Sequence, residues 1–382
     1  MDIEKKRFTD IDVMKVFAVF FVIFNHTGDN GFSLFIRYDP RTVPFVFFLF
    51  LSVFCKFAVP LFLMLSGALL LSKEKLELKY VLKRILKVVL VLIVFGFIRS
   101  WAERYRSIFR EIYAPHEYST FDYVINSLKH GKYPGNTCAS LLKRIFTGDY
   151  VPDFDFLYIY LQYLFVLPVL FAFSGRFQKW HFYGLSAAAV FFCGILPCLT
   201  FYFTKDPSAG FPDFMRRVFL CFVPVLGYYV EFKMKDVSNK GIIALWGVNV
   251  LTIGISAYLT YLSVYGQTKT PVFSEDYHNM FYVFNALTIC VTFKKYCKNV
   301  PSGAEKLFAF LSKSVLTVYL MHINLFYLLP PITSKIGGYA EQSLFLPAVF
   351  LLTGYILLDF ACCVLIWWGL SKIPVLKRLT YL

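Results

Sequence analysis

Residues 12–26, DVMKVFAVFFVIFNH, decide the fold. From Val13 to Phe24 every position is apolar except Lys15, and His26 closes the run. An ionisable group inside an apolar, membrane-length helix is costly and usually marks function. At about 100° per residue, the steps from Lys15 to His26 return to within roughly 20° of the same helix face, about 16 Å along the axis. The spacing lets both side chains serve one extended ligand.

Apolar stretches of this kind recur along all 382 residues, with 58% hydrophobic and only 16% charged residues and a mean hydropathy of +0.60. A soluble domain of this length would expose large apolar patches at such a composition. The expected fold is an all-α integral membrane protein, a bundle of about ten transmembrane helices. The spans fall near 10–28, 44–72, 83–101, 156–174, 181–203, 216–232, 241–264, 278–293, 307–330 and 344–371. The second is long and contains Lys56 and Pro60, so it tilts, kinks or breaks. No linker divides the chain, and residues 1–382 read as one domain with an outer-loop insertion near 102–155. Within that loop, Ser140 to Phe146 is amphipathic and suited to lying along headgroups. The loop either caps an opening or contacts substrate, or is an insertion with no catalytic part.

The N-terminus, MDIEKKRF, is basic like the start of a signal peptide, yet no small-x-small cleavage pattern follows, so the first span is retained. A net charge of +15 suggests nucleic acid in a soluble chain. Here 21 Lys and Arg fall in one set of short loops and 7 in the other, which is the positive-inside pattern and no nucleic-acid footprint. Both termini are expected in the cytoplasm.

Most cysteines (Cys55, Cys193, Cys198, Cys221, Cys290, Cys362, Cys363) lie within or against apolar spans and read as packing residues. Cys138 and Cys297 stand alone in their loops, and no metal spacing appears. His116, His130, His181 and His278 lie in loops or at span ends and read as solvated or interfacial. The many aromatic residues read mostly as lipid-facing bulk, although Tyr105, Tyr113, Tyr118, Tyr123 and Tyr133 of the outer loop are candidates for glycan contact.

The candidates for chemistry are few. Arg84 and Lys87 share a helical face at i and i+3, and with Lys15 they form a cationic mouth for a phosphorylated ligand, or else anchor the helix end to lipid headgroups. Lys15 also has Asp12 at i−3, so a structural ion pair is the alternative. His26 is a base or nucleophile, or a hydrogen-bonding interfacial residue. Asn25 and Lys56 are possible oxyanion donors.

Several segments occur in a familiar order: Asp12-x-x-Lys15 and, after a gap of ten residues, His26, then Ala58–Gly67 (AVPLFLMLSG), Lys83-Arg84-x-x-Lys87, Phe156-Leu157-Tyr158 and Ser314–His322 (SVLTVYLMH). Taken together across nearly all of the chain, they closely resemble the membrane acyltransferase-3 family. The resemblance implies an enzyme of a bacterial-type plasma (inner) membrane that takes an acyl group, commonly acetyl and sometimes succinyl, from cytoplasmic acyl-CoA. The acceptor it implies is a hydroxyl or amino group of a surface polysaccharide or lipid-linked glycan. No bound cofactor and no metal is implied; acyl-CoA is a co-substrate, and the other partners are the glycan acceptor and the bilayer.

The family's arginine–ten residues–histidine motif falls on Lys15 and His26, keeping the charge but losing arginine's bidentate grip on phosphate. Its paired arginines fall on Arg84 and Lys87, again with one lysine. Lys56 sits where relatives often carry an arginine before the valine-proline-leucine-phenylalanine run. Tyr319 and His322 match a tyrosine-leucine-x-histidine segment, or serve as interhelical polar contacts. Family members tend to show a histidine and a tryptophan close to Asp153 and Asp155, and this chain does not. The resemblance then implies donor phosphates at Lys15, Arg84 and Lys87, a pantetheine arm along the first helix, and His26 as general base or transient acyl carrier. A membrane transporter or exporter of a glycan or lipid-linked sugar is the alternative function, although no inverted repeat supports it.

Overall fold

The computed structural model describes residues 9–113, 154–176, 178–204, 219–265, 280–297, 300–328 and 330–381. All regular structure among them is helical. Chain order runs α1 (Thr9–Asn25), α2 (Val43–Phe54), α3 (Ala58–Leu71), α4 (Leu78–Tyr113), α5 (Asp155–Ser174), α6 (Lys179–Val190), α7 (Leu196–Thr204) and α8 (Val223–Phe232). It continues through α9 (Asn239–Tyr265), α10 (Met280–Tyr296), α11 (Ser302–Leu311), α12 (Val315–Leu328), α13 (Pro330–Glu341), α14 (Phe345–Leu370) and α15 (Pro374–Lys377).

Four helices among the described residues are long and apolar enough to cross a membrane: Val43–Leu71, Asp155–Ser174, Asn239–Tyr265 and Phe345–Leu370. A fifth is added if the bent pair Ser302–Leu311 and Val315–Phe326 counts as one span. The ten spans expected from hydropathy include helices too short to qualify alone: α1 and α10 have 17 residues each and α8 has 10.

α1 is the central element. Its buried residues run around the whole helix, from Ile11 and Met14 to Val22 and Phe24, the pattern of a helix enclosed on all sides. It packs against α3, α10, α11, α12 and α14. The two main hydrophobic clusters meet beside it at Phe21, Phe62 and Met321.

Breaks in the helices have local causes. Pro60 has no N–H for the Lys56 carbonyl, and the turn Cys55–Phe57 tightens into a 3-10 helix between α2 and α3. Pro197 similarly withholds its bond from the preceding turn, and Phe191–Ile195 widens into a π-helix between α6 and α7. The stretch expected as a single span near 307–330 is instead two helices meeting at 59°. Ser314 serves both helices at the joint: its Oγ donates to the Leu311 carbonyl that ends the first (2.7 Å), while its own carbonyl accepts from Val318 N in the first turn of the second (2.9 Å).

A further departure concerns α4, which continues past Trp101 to Tyr113, so the first part of the expected outer loop is helical. Tyr105 and Tyr113 therefore belong to α4. Ser140–Phe146, Tyr118, Tyr123, Tyr133, His116, His130, His278, Cys138 and Asp153 lie outside the described residues. His181 is an N-terminal capping residue of α6: its Nδ1 accepts from Gln178 N (3.1 Å).

The tightest packing joins α3 to α8. Gly67 faces the Pro224 backbone and Gly227 faces the Met64 backbone, so that a Cβ on either would fall on the opposite carbonyl oxygen. Small residues at a crossing let two membrane helices approach to backbone contact.

Candidate active site

Two cavities flank the middle of α1. The first, of about 310 Å³, is lined by Asp12 and Lys15 of α1, Arg84 of α4, Phe156 and Tyr160 of α5, the α11–α12 junction and one side of α3. Arg84 is held by phenols: its Nε donates to the Tyr160 hydroxyl (2.7 Å) and its Nη1 to the Tyr80 hydroxyl (2.6 Å). Neutral partners orient the guanidinium without cancelling its charge, which remains for an anionic ligand. The Lys73 ammonium lies 3.4 Å from the Tyr80 ring centroid. Burial raises the pKa of the Tyr80 hydroxyl, but the Arg84 and Lys73 charges outweigh it and hold the group below the ordinary tyrosine value. Lys313, exposed at the α11–α12 junction, adds another cation to the cavity wall.

The second cavity, of about 540 Å³, begins where α1 ends. Asn25, His26, Asp29, Cys55, Lys56 and Asp155 bring polar groups to its wall. The chain turns sharply after His26, and Gly28 takes a positive φ of 53° that favours glycine. Thr27 pins the turn, its Oγ1 donating to the Phe24 carbonyl (2.6 Å) and accepting from Phe32 N (2.9 Å). Behind His26 lies the buried His322, with ring centroids 5.0 Å apart at 65°. His322 Nδ1 is 2.9 Å from the Val318 carbonyl, which assigns the ring proton to Nδ1. The Lys56 ammonium sits 4.4 Å over the Phe32 ring, and the positive charges of Lys56 and Arg99 both act on the His26 ring.

An aromatic pair is shared by the walls of the two chambers. Phe156 and Tyr319 line both, with rings edge-to-face at 5.6 Å. Lys15 on α1 and His26, in the turn just past its last residue, thus open into adjoining spaces with a shared wall. The acyltransferase-3 family model, described as an acyltransferase domain, matches residues 8–368. The chain belongs to the acyltransferase-3 family. No curated protein and no solved structure matches it.

In this acyltransferase, Lys15 and Arg84 share the first cavity, whereas Lys87 does not line it. Lys87 stays close enough for the Arg84 charge to act on it. His26, Lys56 and Asp155 share the second cavity, Tyr319 belongs to both, and His322 backs His26. Among the described residues, no group of His, Cys, Asp or Glu is arranged to hold a metal ion.

Two cations of the acyltransferase were missed from sequence. Arg99 is 1% exposed, the largest of its fully buried side chains, and Lys313 lines the first cavity. Both interrupt expected spans, 83–101 and 307–330, so the rule that singled out Lys15 applies to them equally.

Proposed function

We propose that this acyltransferase moves an acyl group, in the simplest case acetyl, from cytoplasmic acyl-CoA to a hydroxyl of a cell-surface polysaccharide or lipid-linked glycan. The observation that carries the reading is the pair of adjoining cavities, cationic on one side and holding His26 on the other. Donor phosphates rest against Lys15, Arg84 and Lys313, with Lys87 strengthening the positive field at the mouth. The pantetheine arm passes Phe156 and Tyr319 and brings its thioester to His26. Asp155, Asp29 and Asn25 supply polar groups for a sugar hydroxyl.

With His26 as general base, the acceptor oxygen attacks the thioester carbonyl while its proton passes to the imidazole. The carbon–sulfur bond then breaks and the coenzyme thiolate recovers the proton. Lys56 and Arg99 stabilise the negative charge that develops on the carbonyl oxygen. With His26 as acyl carrier, a ring nitrogen attacks the thioester and the coenzyme thiolate leaves, taking the proton of the other ring nitrogen; the acceptor hydroxyl then attacks the acyl-imidazole, the carbon–nitrogen bond breaks and the hydroxyl proton returns to the ring.

The reading includes a bacterial-type inner membrane, about ten spans, both termini in the cytoplasm, and residues 1–382 as one domain with its insertion near 102–155. The basic loops support that orientation, which puts the first cavity on the cytoplasmic side.

The test uses purified protein in proteoliposomes with radiolabelled acetyl-CoA and the native glycan fraction. His26→Ala is expected to lose acyl transfer by at least about 100-fold while acetyl-CoA still raises its unfolding temperature. Full transfer by the variant, or glycan flux without transfer, overturns the proposal. A labelled acyl-enzyme formed without acceptor identifies the carrier route.

A further inference from the structure

A third cavity, sharing no lining residue with the first two, lies where α3, α5 and α8 end together, and one of its cations, Lys73, also rests on the Tyr80 ring beside Arg84. We propose that it is a binding site for a phosphate-bearing anion, and that its occupant in the membrane is the headgroup of an anionic phospholipid.

The cavity measures about 460 Å³, and three cations from separate segments line it: Lys73 after α3, Arg176 after α5 and Lys233 after α8. Phe171, Tyr228 and Phe232 form its apolar part, and none of its lining residues is acidic. The ordinary reading of cations at helix C-termini is compensation of helix dipoles. Each such end carries about half a negative charge, so three ends offset roughly half of three full cations and a positive surplus remains. Carbonyls of two of these ends already accept backbone hydrogen bonds: Phe173 O from Arg176 N (2.9 Å), and Tyr229 O from Lys233 N (2.9 Å) and Met234 N (2.8 Å). At the end of α8, Lys294 Nζ also donates to the Val230 and Glu231 carbonyls, so Lys233 is not needed as a cap there.

Scattered interfacial lysines attract anionic lipid only as a diffuse field, whereas cations converging on a concavity between helices select a headgroup. Phosphate is the matching chemistry, since arginine offers paired donors and the lysines add point charge. Exposed aromatic surface favours a lipid over a soluble phosphate: Phe173 is 51% exposed beside the cavity and Phe232 43% exposed within its wall. Those rings offer acyl chains a surface next to the headgroup.

The experiment uses the full chain in phosphatidylcholine nanodiscs doped with phosphatidylglycerol, with retained lipid counted by native mass spectrometry. One phosphatidylglycerol per chain is expected to survive delipidation. Its retention falls by about tenfold or more in K73Q/R176Q/K233Q and is unchanged in the control K235Q/K240Q/K372Q. Equal loss in the two triple variants, or no retained lipid, overturns the lipid assignment. Inorganic pyrophosphate added to undoped discs tests the soluble source: binding that the first triple variant alone abolishes keeps the phosphate site and transfers it to a soluble ligand. Absence of both kinds of binding overturns the proposal. A photoreactive phosphatidylglycerol guards against misfolding of the variant, because in the wild type it is expected to label peptides containing Phe171–Arg176 or Tyr228–Lys233. Labelling confined to other peptides counts against the site.

Discussion

Lys15 is a lysine where the family pattern has arginine, yet it occupies the wall of a cavity that already contains an arginine. In the proposed donor site Arg84, oriented by two phenols, is the residue that supplies the planar guanidinium Lys15 lacks. Lys15→Ala is therefore expected to raise the acetyl-CoA KM by about tenfold, equivalent to ~1.4 kcal/mol of donor binding. Lys15→Arg should keep or lower it. Steady-state kinetics in proteoliposomes decide, and an unchanged KM in the alanine variant removes Lys15 from the donor site. Arg99 makes a different prediction. Arg99→Gln is expected to lower kcat by about 100-fold or more with little change in donor KM, because the charge acts on His26 and Arg99 does not line the cationic cavity. A matching rise in KM would assign Arg99 to donor binding instead. Lys15 and His26 were legible because a helix repeat links them. Arg99 was equally an intramembrane charge, but it belonged to none of the segments that carried the family resemblance, and its effect on His26 arises only when α4 meets the bundle.

At the scale of elements, long apolar helices such as α9 and α14 were readable from hydropathy, since a hydrocarbon-length run has few alternatives. The 59° bend at Ser312–Ser314 was not, because Ser-Lys-Ser is compatible with a continuous helix and packing decides between them. The extension of α4 to Tyr113 was missed for the opposite reason: its later residues are polar, and a hydropathy reading stops where the apolar run stops. Contact between α3 and α8 also depends on partners far apart in sequence. Gly67→Leu is expected to force these backbones apart and destabilise the protein by at least ~1–3 kcal/mol, with Gly67→Ala milder. Thermal unfolding in detergent measures it, and an unchanged midpoint for Gly67→Leu contradicts the close approach described here.

For the whole molecule, the direction of chemistry depends on orientation. Both ends of the chain are expected on the cytoplasmic side, so reporters fused at either end should be shielded from an impermeant protease in right-side-out vesicles and cut in inside-out ones. Opposite accessibility of the two ends would require an odd number of spans and would separate the cationic cavity from cytoplasmic donor. The all-helical bundle was legible in composition and periodicity, while the enclosure of α1 was not. Its sequence shows only a short apolar run, and the five helices that surround it are brought there by the fold.

The crossing at Gly67 and Gly227 also backs one side of the first cavity, the proposed donor chamber. Phe62, Leu65, Ser66 and Leu69 form that side, and with α8 pressed against the rear of α3 they have nowhere to retreat. Under the proposed donor binding, entry of a bulky nucleotide relies instead on the part of the wall where Ser312, Lys313 and Val315 belong to a joint between two helices. The enzyme in effect has one fixed jaw and one articulated jaw.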